Sequence, residues 1–509
     1  MCNAVVNTMN LKRGKYIVIA LEEHCLNGDA YTAEDALYKM CERKNPDLTR
    51  TVFQADLQEL LRLGILHDDS GRLYLSDTWR YEETAAKELA AIIKHNPLQP
   101  ASMPTTPMHI NGVPLCTEQY AAIQLALSNR LTLILGGAGT GKSSLIKALC
   151  RCAGGMDQAV ICAPTGKAAR NLEAKLGHHV RTVHGALGIT PNDDWLSPVR
   201  WNMVQLVVVD EASMMTTGML AGILDRTTSD CRIVLVGDPN QLMSVGSGNV
   251  LLDLLALHVP QITLKENHRL AANDSALTYN VKDYDTAYGT PGLVWDESFQ
   301  LMEMPAYEAR YHLIRDAVAC YRRRDDVLVV SPYNNKGDFS AAELNKAIRA
   351  EINPERKGVR KLHTPHGVLV DGDRVLITRN DRTQNVSNGD VGILHILRSQ
   401  KGRMKYAIEL SDGRMPVWKD EGAVENLAFI ELAYVLTVHK SQGSEYDKIL
   451  MALTSDMYLY RNLFYTAISR AKNSVQIYGS MQAVDKALQQ RPHSRASMLV
   501  EKTKKLLAQ

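Results

Sequence analysis

The amino-acid sequence predicts an α/β protein with two tandem parallel sheets, and three observations support this fold class. Short apolar runs such as LTLIL at 131–135 and LVVVD at 206–210 alternate with amphipathic segments. A second set of apolar runs extends from VLVVS at 327–331 to VQIYG at 475–479. Because parallel strands need helical crossovers, this alternation indicates parallel sheets. Short runs separated by turn signals lie between about 355 and 425, and they predict a small β-barrel inserted in the second α/β domain.

Residues 1–100 predict a winged-helix-like N-terminal region. Two helices, the second near 52–63, precede a hairpin around Asp69-Ser70-Gly71. Such a region either docks nucleic acid or a partner, or serves only as a structural cap, and the sequence favours neither role. A further helix over 80–94 leads into the proline-rich linker HNPLQPASMPTTP.

The remaining boundaries follow from the same patterns. Residues 101–262 form the predicted first α/β domain, with a short hairpin insertion at about 186–204. The second domain is predicted from 263–355 together with 426–509, and the inserted barrel occupies 356–425.

Composition excludes several classes of protein. The chain has 509 residues, of which 45% are hydrophobic, as expected for several globular domains. No apolar run approaches the ~20 residues that span a bilayer, and polar and basic residues interrupt the N-terminal stretch where a signal peptide is apolar. We therefore expect a cytoplasmic protein without a membrane partner. Nine cysteines without a C-x-x-C pair argue against a zinc site.

The segment LILGGAGTGKSS at 133–144 is the most informative motif. It fits G-x-x-x-x-G-K-[ST] at every fixed position, in a strand, turn and helix context. Glycines let backbone N–H groups surround a polyphosphate, and the helix N-terminus adds positive charge. Lys142 is expected to reach the β and γ phosphates, and Ser143 to ligate Mg²⁺. The residues expected to bind ATP here are Gly136, Gly137, Ala138, Gly139, Thr140, Gly141, Lys142, Ser143 and Ser144.

Polar residues follow the next two apolar runs of the first domain. Asp210 and Glu211 end LVVVDE, where the aspartate is expected to hold Mg²⁺ and the glutamate to act as general base. Asp238 and Gln241 follow RIVLV toward the same sheet edge, and Gln241 is placed to sense the γ-phosphate. The three motifs together predict ATP hydrolysis.

The order of the motifs resembles superfamily 1 helicases, and most closely the RecD-like members of subgroup 1B. The matching segments span nearly all of 115–480 and are LCTEQYAAI, GGAGTGKSS, APTGKAAR, TVHGAL, VVVDEASMM, GDPNQLMSVGSG, LKENHRL, LTVHKSQGSEYD and LFYTAISRAK. The resemblance implies two RecA-like motor domains in an ATP-dependent DNA helicase that translocates 5′ to 3′ on single-stranded DNA. It further implies unwinding at duplex junctions in DNA repair or recombination, and we expect a monomer.

The resemblance also implies roles for individual residues at the nucleotide. Gln119 would hydrogen-bond adenine, while Arg269 and Arg470 would act as arginine fingers on the γ-phosphate from the second domain. Gly443 and Glu445 lie in a segment that is expected to engage the nucleotide as well as nucleic acid. Two positions differ from the residues that are common in the family: Leu270 replaces a Gln, and Met243 replaces a Pro. Neither difference removes a group that is needed for hydrolysis.

Seven residues are expected to contact the nucleic-acid strand. They are Thr165, Lys167, Thr182, His184, Thr437, His439 and Lys440. Two of these residues have an alternative role that fits the sequence equally well. Thr165 could cap a helix, and His184 could pack in the protein without contacting a phosphate. In RecD-like enzymes a small hairpin follows this region and splits the duplex, so Trp195 and Trp201 are either its wedge or packed against the first domain.

Two other functions remain compatible with these motifs. An RNA helicase would use the same backbone contacts, because discrimination by the 2′-OH cannot be read from the sequence. A single-strand-stimulated ATPase, or a complex subunit that does not unwind alone, would also carry them.

Overall fold

The structure is a computed structural model, and its residues fall into two compact units. It describes residues 11–509 except 12, 97, 99–107, 111, 191–192, 197–199, 267–274, 283, 285–291, 382, 399–403, 420–426, 456 and 458. The first unit contains the described residues up to Pro164, then 172–266 and 493–509, and the second contains 165–171 and 267–492. None of the described helices is long and apolar enough to cross a membrane.

The N-terminal part of the first unit contains the predicted helices and hairpin. The helices are Lys15–Leu26, Glu34–Lys44 and Arg50–Arg62, and the strands are β1 (Tyr31–Thr32), β2 (Leu66–Asp69) and β3 (Arg72–Leu75), in the antiparallel order β1-β3-β2. The third helix begins where the Thr49 side chain accepts a hydrogen bond from Val52 N–H at 3.4 Å. Its apolar face, with Phe53, Leu57 and Leu60, is buried in the local core.

The long helix Ser76–Lys94 contradicts the predicted boundary at residue 100 between the N-terminal region and the first α/β domain. Its buried residues Ala85 and Leu89 share one core with Leu131 and Val209 of the neighbouring parallel sheet. Residues 1–100 are therefore not a separate region, because this helix is part of the first unit's main core.

The main sheet of the first unit is parallel and has six strands among the residues that the structure describes. A small hairpin, β4 (His109–Ile110) and β5 (Val113–Pro114), precedes it. The six strands are β6 (Leu131–Gly136), β7 (Ala159–Ala163), β8 (Arg181–Thr182), β9 (Leu206–Val209), β10 (Arg232–Gly237) and β11 (Gln261–Leu264). Their order is β11-β6-β10-β9-β7-β8. The helices of this region are Thr117–Ser128, Lys142–Cys152, Gly166–Leu176, Val183–Leu187, Thr217–Arg226 and Val250–Ala256.

The second unit contains the second predicted parallel sheet. Its strands are β12 (Phe299–Glu303), β13 (Val327–Ser331), β21 (Val435–Thr437), β22 (Tyr446–Leu453) and β23 (Ala471–Gly479), in the order β12-β23-β22-β13-β21. Its helices are Ala276–Lys282, Ala306–Arg323, Ala341–Ile352, Arg461–Ile468 and Met481–Gln489. The predicted α/β class with two parallel sheets is therefore confirmed.

The insertion is an antiparallel sheet, and the predicted small β-barrel is not confirmed. A hairpin of β14 (Lys361–Thr364) and β15 (Gly367–Val370) precedes β16 (Arg374–Ile377), β17 (Val391–Arg398), β18 (Met404–Leu410), β19 (Val417–Lys419) and β20 (Ile430–Leu432). The five-strand order is β19-β18-β17-β16-β20, which leaves β19 and β20 at its edges in the described part of the chain. Because β20 pairs with β16, the insertion continues past the predicted end at 425.

The C-terminal segment lies in the first unit, which corrects its assignment to the second domain as part of 426–509. Helix Leu499–Leu507 packs on helix Ser76–Lys94, and Leu499 is buried in the core of the parallel sheet. The amphipathic pattern of this helix was visible in the sequence, but such a pattern does not specify which core the apolar face covers.

The segment predicted as a hairpin at 186–204 lies partly outside the described residues, and its described residues after Leu187 contain no strand. Trp195 and Trp201 pack against the core of the first unit. The ring of Trp195 also contacts His184, with ring centroids 4.5 Å apart. Of the two interpretations of these tryptophans, packing on the first domain is the one that the structure shows.

Candidate nucleotide site and nucleic-acid interface

The phosphate loop joins the buried strand β6 to helix Lys142–Cys152. Gly139 and Gly141 have φ angles of 86° and 76°, in the left-handed region that favours glycine. A Cβ added at Gly136 would lie 2.7 Å from Thr140 Oγ1, so this position also requires glycine. The first turn of the helix contains no acidic residue. Its N–H groups and dipole are therefore suited to an anion.

Lys142 places its ammonium group directly over the loop. Its Nζ donates hydrogen bonds to the carbonyl oxygens of Gly136 and Gly137, at 2.7 and 2.9 Å. Thr140 Oγ1 donates to the same Gly137 carbonyl at 3.0 Å. Neutral carbonyl oxygens thus hold the lysine at the loop. A charged phosphate oxygen would bind the ammonium group more strongly than these carbonyls, because a hydrogen bond between two charged groups is stronger.

The sheet register brings two acidic positions to the edge where the phosphate loop begins. Gly237 at the end of β10 pairs with Leu135 of β6, and Leu235 pairs with Val209 of β9. Asp210 and Asp238, which follow β9 and β10, therefore lie at the carboxyl edge beside the phosphate loop. Carboxyl ends of adjacent parallel strands are where α/β sheets bind ligands.

Asp210 occupies an environment that disfavours its charged form. Burial raises the pKa of its carboxyl group, and the neighbouring Glu211 carboxylate raises it further, whereas Lys142 lowers it. Glu211 N–H donates to Asp210 Oδ1 at 3.0 Å. Glu211 itself has a φ of 54°, a left-handed conformation that costs energy for a side-chain-bearing residue. A cation would relieve the repulsion between these two carboxylates.

The donor set fits a magnesium ion. The hydroxyl of Ser143 and the carboxylate of Asp210 are hard oxygen ligands of the kind that Mg²⁺ prefers. The electrostatic strain at Asp210 supplies an independent reason for a cation at this position.

Gln241 is fixed in a tight turn after β10. Its N–H donates to the Asp238 carbonyl at 3.2 Å, and Asp238 Oδ1 accepts from Asn240 N–H at 3.0 Å. Both Asp238 and Gln241 are buried. The predicted γ-phosphate sensor is therefore held by the backbone of its own loop.

Gln119 has a structural role that the sequence reasoning missed. Its Oε1 accepts from Cys116 N–H at 3.0 Å in a capping box that begins helix Thr117–Ser128. Its Nε2 donates to the Gly141 carbonyl at 3.5 Å, so the same side chain contacts the phosphate loop. The neighbouring Glu118 accepts the N–H groups of Lys265 and Glu266 at 2.7 and 3.1 Å and ties the end of β11 to this helix.

Comparisons with known proteins show which proteins this chain resembles. Residues 114–288 match the family model of an AAA domain, and residues 432–478 match that of a UvrD-like helicase C-terminal domain. The chain is 32% identical to the ATP-dependent RecD2 DNA helicase of Deinococcus radiodurans, over 85% of this chain and 58% of that protein. It is 29% identical to the RecBCD enzyme subunit RecD of Mycolicibacterium smegmatis, over 82% of this chain and 80% of the relative. The chain is therefore similar to RecD proteins over most of its length.

The RecD-like resemblance of the motifs is thereby confirmed. The chain spans just over half of the length of the Deinococcus protein, since 58% of that protein is covered. Among solved structures, the Pif1 helicase from Candida albicans has a TM-score of 0.47 and 19% identity, over 79% of this chain and 100% of that one.

The second unit holds Arg470 in a buried position. Its Nε donates to the Thr466 carbonyl at 3.1 Å, and its Nη2 donates to Ser469 Oγ at 3.2 Å. These contacts hold the guanidinium at the C-terminal end of helix Arg461–Ile468. Arg269 lies outside the described residues.

The loop after β21 contains the second group of predicted nucleic-acid contacts. Thr437 Oγ1 accepts from Lys440 N–H at 3.2 Å, which fixes the start of the turn. Lys440 Nζ forms an ion pair with Glu431 at 2.5 Å, and His439 is exposed. Gly443 turns the chain with a φ of 72°, and the half-buried Glu445 follows.

Three predicted contacts of the first motif group serve local structure. Thr165 Oγ1 accepts from Ala168 N–H at 3.2 Å, and Thr182 Oγ1 accepts from Gly185 N–H at 3.0 Å, so both threonines cap helices. His184 is half-buried, and burial lowers its pKa. The alternatives of helix cap and packed histidine are therefore the roles that the structure shows.

The segment 165–171, which belongs to the second unit, contacts other parts of that unit in ways that no sequence motif indicates. Arg170 forms an ion pair with Asp390 of the insertion, and Asn171 Nδ2 donates to the Gly443 carbonyl. A Cβ on Gly166 would lie 2.7 Å from the Cβ of Ser387, so the glycine permits this close approach. The segment with Thr165 and Lys167 therefore contacts both the insertion and the loop at Gly443.

Proposed function

We propose that this protein is a RecD-like, ATP-dependent DNA helicase that moves 5′ to 3′ on single-stranded DNA and separates strands at duplex junctions. The observation that carries the proposal is the strand register of the first unit, because it gathers Lys142, Asp210 and Gln241 at one sheet edge beside a phosphate loop. The named relatives are an ATP-dependent DNA helicase and a subunit of the RecBCD enzyme, and they support the DNA assignment.

Hydrolysis uses the side chains of this edge. Lys142 leaves its two carbonyl acceptors for the β and γ phosphates, and Ser143 and Asp210 would hold Mg²⁺, which neutralises charge on the phosphate oxygens. Glu211 accepts a proton from the attacking water, and Gln241 orients that water. Arg470 contributes positive charge to the transition state, as the RecD-like resemblance implies.

Coupling to nucleic acid involves the loop Thr437–Glu445 and the segment 165–171. Both carry predicted contacts to the strand, and Asn171 joins them through its hydrogen bond to Gly443. A change at the Gly443 loop is thereby transmitted to Thr165 and Lys167, because Asn171 and Lys167 belong to helix Gly166–Leu176, which begins directly after Thr165. We propose that this link moves the two groups of strand contacts together.

Further parts of the proposal follow from the resemblance and the composition. The enzyme acts as a monomer in the cytoplasm, in DNA repair or recombination. We further propose that Gln119, which contacts the phosphate loop, also contacts the nucleotide.

The test combines hydrolysis and strand separation. ATPase rates are measured with matched single-stranded DNA and RNA, and unwinding is measured on duplexes with a 5′ or a 3′ tail. We expect stimulation by DNA and unwinding of the 5′-tailed duplex only, while Lys142→Ala abolishes hydrolysis and unwinding. Unwinding of the 3′-tailed duplex alone would reverse the polarity, stimulation by RNA alone would make the protein an RNA helicase, and hydrolysis without strand separation would make it a translocase.

A further inference from the structure

The C-terminal segment inserts one guanidinium group into the loop that follows Gln241. Arg495 Nη1 donates to Ser244 Oγ at 2.8 Å, to the Gly248 carbonyl at 2.7 Å and to the Gly246 carbonyl at 3.3 Å. Its Nη2 donates to the Ser244 carbonyl at 2.5 Å. One side chain thus binds three backbone carbonyls and one hydroxyl of the segment 244–248, which we name the sensor loop.

A third segment, from the N-terminal region, completes this contact. The Gly28 carbonyl accepts from Gly248 N–H at 2.9 Å, and Asp29 Oδ1 accepts from Ala496 N–H at 2.7 Å. Gly28 has a φ of 110°, and a Cβ at this position would lie 2.1 Å from Arg495 Nε. The absence of a side chain at residue 28 is therefore what leaves space for the guanidinium.

The conformation of the sensor loop depends on this arginine. Gly246 and Gly248 have φ angles of 119° and 95°, and Ser244 is buried. The chain turns so that its carbonyl oxygens converge, and converging acceptors repel one another unless a donor lies between them. A planar guanidinium supplies several donors in a fixed geometry, which a lysine ammonium does not reproduce.

The C-terminal segment itself is firmly held. Met498 N–H donates to Glu82 Oε1 at 2.9 Å, and Lys502 forms an ion pair with Glu83 at 2.9 Å. Leu499 is completely buried in the core of the first unit. Arg495 is therefore presented to the sensor loop from a fixed backbone.

We propose that Arg495 is a positioning residue for ATP hydrolysis, which acts by holding the sensor loop and thereby Gln241. Gln241 lies three residues before Ser244 and both residues are buried, so a shift of the sensor loop moves the Gln241 amide relative to the phosphate loop. The phosphate-loop contacts of Lys142 lie elsewhere and stay unchanged. This inference rests on the proposed function, because it assigns Gln241 to the attacking water.

The kinetic test separates turnover from binding. Arg495→Ala is expected to lower kcat for ATP about tenfold or more, because small misplacements of catalytic groups have effects of this size. The KM for ATP and the affinity for a fluorescent ATP analogue should stay within about twofold, since the phosphate loop is intact. Arg495→Lys should recover only part of the rate. Arg491→Ala, which removes an exposed arginine of the same segment of chain, is the control and should match the wild type.

A second variant displaces the arginine without removing it. Gly28→Ala introduces a methyl group against Arg495 Nε and should lower kcat in the same way. Because both changes disrupt one contact, the double variant should be no slower than Arg495→Ala alone. If wild-type protein hydrolyses ATP but Arg495→Ala and Gly28→Ala keep its kcat, or if the two effects multiply, the inference is wrong. If the wild type does not hydrolyse ATP with any nucleic acid, the proposed function fails instead.

Discussion

Substitution of Leu499 by alanine tests whether the C-terminal helix is part of the first unit's core. Leu499 has 0% exposed side chain and lies in the same cluster as Leu89, Leu131 and Val209. Truncation removes three buried carbon atoms and leaves a cavity, and such changes in cores cost 2–5 kcal/mol. We expect a loss of about 3 kcal/mol from the free energy of unfolding of the first unit.

Hydrogen exchange measured by mass spectrometry assigns that loss to a unit. Peptides that cover β9 and β10 should exchange about 10²-fold faster in the variant, whereas peptides that cover β13 and β22 should be unchanged. Leu252→Ala is the matched control, because Leu252 belongs to the same unit and is 40% exposed. If β9 and β10 exchange at the same rate in the variant as in the wild type, or if only β13 and β22 exchange faster in the variant, the assignment of this helix to the first unit is refuted.

Two further predictions concern charged groups. Arg470→Ala should reduce ATP turnover about 10³-fold while leaving most ATP binding, since an arginine finger acts on transition-state charge, and equal turnover in both proteins would exclude this role. Burial raises the pKa of Asp253 to about 7, and the Glu82 and Glu501 carboxylates add to this effect. The folded protein then keeps a proton that the unfolded chain releases above about pH 4, so the free energy of unfolding falls as the pH rises from about 4 to 7. Urea midpoints at pH 5 and pH 8 should show this fall in the wild type and a smaller one in Asp253→Asn, and parallel behaviour of both proteins would contradict it.

The chemistry of the phosphate edge was predictable because local rules determine it. Gly139 and Gly141 adopt left-handed conformations that few other residues tolerate, so the motif specifies the loop conformation directly. Asp210 and Gln241 follow buried strands, and parallel strands bring their carboxyl ends to one edge whatever the rest of the chain does. For these residues, the geometry of the loop and of the parallel sheet determines the position in space once the sequence pattern is known.

The hydrogen-bond partners of polar residues were not predictable in the same way. The sequence predicts that Thr165, Thr182 and Gln119 contact nucleic acid or adenine, but it does not show that each side chain also accepts a backbone N–H at a helix start. A threonine or glutamine pattern states only that a polar group is present. The hydrogen-bond partner of this polar group depends on where the helix begins, and the sequence predicts that position only to within a few residues.

The sequence did not predict contacts between distant parts of the chain. The sequence shows an apolar face on helix Leu499–Leu507, but its burial beside helix Ser76–Lys94 depends on the path of the whole chain. The pairing of Arg170 with Asp390 likewise joins two segments that no local pattern relates. Such pairs need either a structure or evidence of covariation.

Two parts of the C-terminal segment should affect the protein in different ways. Leu499 contributes buried apolar surface, and Lys502 contributes ion pairs, so changes there alter stability more than geometry. Arg495 instead binds neutral carbonyls that converge in the sensor loop, and its loss lets this loop relax. Stability and turnover should therefore separate: Leu499→Ala should speed exchange of the folded core at nearly normal kcat, whereas Arg495→Ala should lower kcat with a smaller effect on core exchange.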